Sequence, residues 1–139
     1  MRPRTHPLLT AFDTTGGPRW VWTTFLADQV DLDYAEPDVL LAVVDVILHY
    51  ARRGASAIRL DAVGFCWKDP ATSSIHRPET HAIIQLLADC LDTTHPGTIL
   101  ITETNVPHDE NVSYLHPTTP EAQALSLIHI SEPTRPLYI

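Results

Sequence analysis

The chain has 139 residues, of which 44% are apolar and 19% are charged, and its formal net charge is −8 at pH 7. This is the length and apolar content of one ordinary domain with a buried core. The acidic balance excludes a nucleic-acid binder, because phosphate backbones attract an excess of Lys and Arg. The sequence contains no run of ~18 consecutive apolar residues, the length that a helix needs to cross a membrane. The two cysteines match neither a disulfide framework nor a zinc site, which favours a reducing, cytoplasmic compartment.

Residues 1–36 carry turn and strand signals and little helical pattern. The tripeptide Gly-Gly-Pro at 16–18 predicts a turn. The aromatic and β-branched run Trp-Val-Trp-Thr-Thr-Phe at 20–25 favours a strand directly after it.

A helix is predicted over 37–53. Pro37 suits its first turn and Gly54 suits the position after its last turn. Apolar residues recur at helical spacing between them: Leu40, Val43, Val44, Ile47 and Leu48. The short apolar run 57–63 predicts a buried strand, and 68–78 predicts a loop.

A second helix over 79–92 and a second strand over 98–103 continue this pattern. Helices that alternate with short strands predict βαβ units, and hence the parallel sheet of an α/β fold. In such sheets ligands bind beyond the carboxyl ends of the strands. Asp61 and Glu103 lie at or near two such ends, which makes them candidate functional carboxylates.

The charged residues at these strand ends allow two interpretations. Arg59 and Asp61 are two apart, so their side chains share one strand face, and the guanidinium would hold the carboxylate ionised as a nucleophile requires. Glu103 would add a second carboxyl, and two carboxyls roughly 5–5.5 Å apart are the minimum for retaining glycoside chemistry. The alternative is a structural ion pair at the end of one strand and an ordinary loop acid at the other.

Three ordered blocks resemble signatures of the α-amylase clan, glycoside hydrolase family 13. They are Gln-Val-Asp-Leu-Asp at 29–33, Arg-Leu-Asp-Ala-Val at 59–63 and Thr-Glu-Thr-Asn-Val-Pro-His at 102–108. The sequence around these blocks is similar to that of the sucrose phosphorylase-like branch, which includes sucrose-6-phosphate and glucosylglycerate phosphorylases. The resemblance covers about residues 3–116.

This resemblance implies roles for the matching residues. Asp61 matches the nucleophile, Glu103 matches the general acid/base, and Arg59 matches the arginine that positions the nucleophile. Three further residues match the substrate-binding side: Phe65 at an aromatic position lining the acceptor, Gln29 in the first block, and His108 in the third, where an ordinary loop residue is the alternative.

The resemblance also implies a fold, a partial (β/α)8 TIM barrel in which 57–63 and 98–103 are roughly the fourth and fifth strands. Residues 1–36 would end a small inserted domain and link it to the barrel, and 37–124 would be the partial catalytic barrel. Residues 125–139 are predicted to be a non-native tail, because they begin with a sequence that resembles a translated sequencing-library adapter. The family's first and fourth blocks have no match, and a full barrel needs ~250 residues. We therefore expect the chain by itself to be inactive.

The predicted activity is transfer of glucose from a sucrose-like or glucosylglycerate-like α-glucoside to inorganic phosphate by double displacement. Phosphate would be a co-substrate, and no cofactor or metal is implied, since His76 and His81 have no third ligand in register. Two alternatives stay open: a hydrolase or glucosyl transferase of the same clan, and a non-catalytic α/β binding module. The expected partners are small molecules, with no nucleic acid and no membrane.

Overall fold

The chain forms two compact units in the computed structural model, Met1–Asp33 and Tyr34–Ile139. The structure describes residues 6–104, residue 114 and the backbone of 123–126.

An antiparallel hairpin makes up much of the first unit. Strand β1, Leu9–Thr14, pairs with β2, Gly17–Trp22, in a register that sets Thr14 opposite Gly17. Gly17 has φ +97°, which side chains of L-residues rarely adopt, so glycine suits this end of the turn. The strand predicted at 20–25 is observed at Gly17–Trp22, three residues earlier at both ends. The sequence pattern does not predict β1, because Leu-Thr-Ala-Phe-Asp-Thr lacks a β-branched run.

The Gln-Val-Asp-Leu-Asp block at 29–33 hydrogen-bonds through Asp31 to the chain just after this hairpin. Thr24 follows β2 and is buried, and its backbone N–H donates to the Asp31 carboxylate over 3.0 Å. The Thr24 hydroxyl donates to the other oxygen of the same carboxylate. Asp31 therefore fixes the path of the chain within the first unit.

Helix α1, Pro37–Arg52, opens the helical part of the second unit. Glu36 precedes it in an extended conformation, and Pro37 occupies the first turn, where its missing N–H costs no hydrogen bond. Gly54 follows the helix with φ +91° and donates its N–H to the Ala51 carbonyl over 2.9 Å. The predicted helix and its glycine terminator are confirmed.

Three parallel strands form the sheet of the second unit, in the order β3–β4–β5. Their bounds are Ala57–Leu60 for β3, Ile99–Glu103 for β4 and Gln123–Ser126 for β5. The predicted parallel pairing is confirmed, but β3 stops before 63 because Ala62 is left-handed, with φ 50°. The pattern does not predict β5, whose sequence Gln-Ala-Leu-Ser holds no β-branched residue.

Helix α2, Pro78–Thr94, packs against α1. It begins one residue earlier and ends two residues later than the predicted 79–92. The two helices share one hydrophobic core with the sheet: Ile47, Ala51, Val63, Ile83, Ile84, Leu87, Ala88, Leu91, Leu100 and Tyr114. Alternation along β4 puts Leu100 into this core, whereas Ile99 points the other way and is 37% exposed. Among the described residues, no helix has the length and apolar character to cross a membrane.

Candidate active site

The register of β3 and β4 brings the two candidate carboxylates to one sheet edge. Leu60 pairs with Thr102, so the residues that follow them, Asp61 directly after β3 and Glu103 at the end of β4, come level with each other. Neighbouring strands lie about 4.8 Å apart, and residues at the same level of a parallel pair point to the same face. The two acids predicted from the sequence are therefore brought together.

Arg59 lies on the same face and bridges the pair. Its Nη2 donates to Oε2 of Glu103 in an ion pair, and the same nitrogen is 3.9 Å from Oδ1 of Asp61. The strand period predicts the contact with Asp61, two residues away. The shorter contact with Glu103 depends on the register of the two strands, which the sequence pattern does not specify.

The two carboxyls differ in environment. Glu103 is buried, with 8% of its surface exposed, whereas the Asp61 side chain is 77% exposed. A hydrogen bond with the Asp61 carboxyl raises the pKa of Glu103, and burial and the negative charge of Asp61 raise that pKa further. Arg59 acts in the opposite direction but does not cancel the rise. Of the two carboxyls, Glu103 is thus the one whose pKa its surroundings raise, and it lies beside an acid that faces solvent.

The backbone turns sharply after Asp61, and Phe65 ends this turn. Ala62 is left-handed, with φ 50° and ψ 36°, and a short 3-10 turn spans Val63–Phe65. The Phe65 N–H donates to the Ala62 carbonyl over 3.1 Å. A non-glycine residue in this backbone region is uncommon and is found most often at functional sites.

Two side chains hold this 3-10 turn at its end. The Lys68 ammonium donates to the Phe65 carbonyl. The Tyr34 hydroxyl hydrogen-bonds with the Cys66 thiol, and burial together with that thiol raises the pKa of Tyr34 to about 12. Cys66 and Cys90 are half-buried and form no disulfide.

The sequence pattern misses a cluster of two histidines and a tyrosine next to this turn. The His76 N–H donates to the Gly64 carbonyl over 2.9 Å, and its ring Nδ1 is 2.5 Å from the Tyr114 hydroxyl. The His81 ring stacks on Tyr114 with centroids 4.1 Å apart, and burial lowers the pKa of His81. The five-residue spacing of the histidines does not by itself reveal this cluster, because its third member, Tyr114, lies 38 residues after His76.

Two further residues were predicted to bind substrate, Gln29 and His108. Gln29 belongs to the first unit, where it is exposed and donates its N–H to the Leu26 carbonyl over 3.0 Å. His108 falls outside the described residues. Within the part of the chain that the structure describes, no three His, Cys, Asp or Glu side chains converge as metal ligands would.

A sequence profile of the α-amylase catalytic domain matches residues 12–130. The chain belongs to this family. The prediction of glycoside hydrolase family 13 is therefore confirmed, and with it the α/β fold of barrel type.

Curated relatives place this α-amylase-family chain near phosphorylases. It is 56% identical over 114 residues to the glucosylglycerate phosphorylase of Escherichia coli, and 52% identical over 122 residues to that of Allomeiothermus silvanus. These alignments cover 81% and 88% of the chain but only 20% and 22% of the relatives. The chain thus spans about a fifth of their length. A trehalose synthase/amylase of Mycobacterium tuberculosis is 34% identical over 87 residues, which is 63% of the chain and 14% of that relative.

Solved structures agree with this placement. The sucrose 6F-phosphate phosphorylase from Thermoanaerobacter thermosaccharolyticum matches with a TM-score of 0.64 and 29% identity, over 73% of the chain and 21% of that structure. A trehalulose synthase matches with a TM-score of 0.68 at 15% identity, over 84% of the chain and 24% of that structure, which supports the fold alone. The predicted sucrose phosphorylase-like branch is confirmed.

Proposed function

We propose that the chain carries the two catalytic carboxyls of a retaining α-glucoside phosphorylase, with Asp61 as nucleophile and Glu103 as general acid/base. The observation that carries this proposal is the pairing of the two acids across β3 and β4, with Arg59 against both. Their environments suit opposite roles. The raised pKa of Glu103 suits a general acid, whereas the exposed Asp61 side chain is accessible to a substrate carbon, as a nucleophile must be.

The first chemical step would form a covalent glucosyl ester. The Asp61 carboxylate attacks the anomeric carbon, the bond to the leaving oxygen breaks, and Glu103 gives that oxygen its proton. In the second step a phosphate oxygen attacks the same carbon, the ester bond to Asp61 breaks, and the Glu103 carboxylate takes the proton of the incoming phosphate. Two inversions return the original α configuration. The products are glucose 1-phosphate and the freed alcohol, and no cofactor enters the balance.

The two carboxyls are within hydrogen-bonding reach of each other, which is closer than the roughly 5–5.5 Å of retaining glycosidases. Asp61 is the acid that can open this spacing, because its side chain is exposed while Glu103 is held in the sheet edge by Arg59. A rotation about the side-chain bonds of Asp61 would admit a sugar carbon without disturbing the core.

The proposed substrate is a glucosylglycerate-like α-glucoside, and the proposed acceptor is inorganic phosphate. The support is the identity of 50–56% to three glucosylglycerate phosphorylases, against 34% or less to the trehalose synthases. Phe65 is proposed to line the acceptor side, and its support is its position at the end of the short 3-10 turn that follows Asp61. Gln29 and His108 remain proposed substrate contacts. The reaction is proposed to be cytoplasmic, in keeping with two cysteines that form no disulfide.

The test uses a chimera, in which the residues of the E. coli glucosylglycerate phosphorylase that align with this chain are replaced by those of this chain. We expect phosphate-dependent release of glucose 1-phosphate from glucosylglycerate. Glu103→Gln should lower the turnover about 10²–10⁴-fold, the usual contribution of a general acid, and Asp61→Asn should abolish it. Asp45→Asn, at an exposed acid on α1, is the matched control and should leave turnover unchanged.

Two results would reject the proposal. Turnover that survives Asp61→Asn would remove the nucleophile. Release of free glucose at full rate without phosphate would favour the hydrolase alternative, which uses the same two carboxyls with water as the acceptor.

A further inference from the structure

The loop that follows Asp61 returns to the 3-10 turn next to the acid and is closed by its own hydrogen bonds. The Ser74 hydroxyl donates to the Asp69 carbonyl over 2.8 Å and accepts from the Asp69 N–H over 2.8 Å. An ion pair of 3.5 Å joins Arg77 to Asp69 across the loop. Ser74 is buried, so this segment is packed rather than loosely attached.

The loop places His76 against the backbone of the turn. His76 has φ 53°, a left-handed conformation that is uncommon outside glycine, and its N–H donates to the Gly64 carbonyl over 2.9 Å. Gly64 is buried, and a methyl group there would come within 2.7 Å of Cε1 of His76. The ring therefore lies directly over the backbone three residues after Asp61.

The His76 ring also contacts a residue that comes after Glu103 in the chain. Its Nδ1 is 2.5 Å from the hydroxyl of Tyr114, which is 4% exposed. His81, in the first turns of α2, stacks on the same tyrosine with an interplanar angle of 27°. Both histidine rings therefore contact Tyr114, His76 through its hydrogen bond and His81 through its stacked ring.

We propose that His76 is a positioning residue that ties the turn after Asp61 to Tyr114, and so holds the backbone of Asp61 level with Glu103. The inference rests on the proposed function in calling those carboxyls a catalytic pair. The left-handed backbone of His76 fits this role, because strained residues persist where the surrounding structure demands one geometry. His76 acts through its hydrogen bonds with the Gly64 carbonyl and the Tyr114 hydroxyl.

The experiment measures the Glu103 pKa by ¹³C NMR in the full 139-residue chain, without sugar or phosphate. Tyr114→Phe removes the hydroxyl but keeps the ring on His81. We expect the Glu103 pKa to fall toward its ordinary value, because contact with Asp61 is what raises it most. His76→Asn is the second variant, since Asn tolerates the left-handed backbone but cannot reach Tyr114.

Thr98→Val is the matched control. It also removes one side-chain hydrogen bond, from the Thr98 hydroxyl to the Ala55 carbonyl over 3.3 Å, but at the opposite end of the sheet. The Glu103 pKa should not change in this variant. The proposal fails if Tyr114→Phe and His76→Asn leave the pKa unchanged, or if Thr98→Val lowers it equally. It also fails if neither variant folds while Thr98→Val does, because the contact would then serve general stability. This readout is independent of turnover, so a failure of the phosphorylase proposal leaves it interpretable.

Discussion

The most informative single perturbation of the fold is Gly64→Ala. Gly64 does not have a positive φ, so alanine adds no backbone strain, and the effect is steric alone. The added carbon would sit 2.7 Å from Cε1 and 3.1 Å from Nδ1 of His76, whereas ordinary contact begins at 3.4 Å. The ring must therefore retreat by about 0.7 Å, against its hydrogen bond to Tyr114.

Overpacking of this kind costs about 1–3 kcal/mol. In a chain of 139 residues each kcal/mol lowers the melting temperature by roughly 3–5 °C, so we expect a loss of roughly 3–15 °C by differential scanning calorimetry. Gly16→Ala is the control, because its new carbon would meet no atom closer than 3.9 Å. Gly97→Ala isolates backbone strain, since Gly97 has φ +95° and open space around it.

The reasoning is refuted if Gly64→Ala melts within experimental error of the unmodified chain, or if Gly16→Ala loses as much. A loss in Gly64→Ala that disappears in the Tyr114→Phe background would identify the pinned His76 ring as the source. That result would also support the positioning role proposed for His76.

Three further predictions follow from burial and charge. Leu100→Ala should cost about 2–5 kcal/mol in urea unfolding, because the side chain is 1% exposed, whereas Leu41→Ala at 61% exposure should stay within about 0.5 kcal/mol. Glu103 has a raised pKa in the folded chain, so its contribution to stability is full at low pH and is lost as pH rises through the folded pKa. Asp61→Asn removes the largest cause of this raised pKa and should weaken the pH dependence of the free energy of unfolding. An unchanged slope of that free energy against pH would contradict this. Arg59→Gln should raise the Glu103 pKa further in an NMR titration, because the guanidinium acts to lower it, and a fall would show that its role is not electrostatic.

Much of this fold can be predicted from sequence because the signals are local. The proline at position 37 and the glycine at position 54 mark both ends of α1, and the two apolar runs that become β3 and β4 are short and bounded. Elements without such signals escape prediction. Strand β1 pairs through its backbone with β2, and β5 has no β-branched residue, so both depend on partners that a local pattern does not contain.

The candidate site shows the same division. Asp61 and Glu103 can be found from strand ends and family signatures, and Arg59 from the two-residue period of a strand. The ion pair between Arg59 and Glu103 requires the register of two strands that are about 40 residues apart, and the His76 contact with Tyr114 spans 38 residues. The predicted tail at 125–139 stays a prediction, since residues after 126 fall outside the described part of the chain.

The central claim is that Asp61 and Glu103 act on one anomeric carbon. Its most direct test is intact-mass and peptide-level mass spectrometry of the chimera carrying Glu103→Gln, after reaction with a glucosyl fluoride that bears a second fluorine at C2. An activated donor needs no general acid to form the ester, and loss of Glu103 slows its release. We predict one fluoroglucosyl group, on the peptide that contains Asp61. An unlabelled chimera, or a label on a different carboxylate, would contradict the assignment.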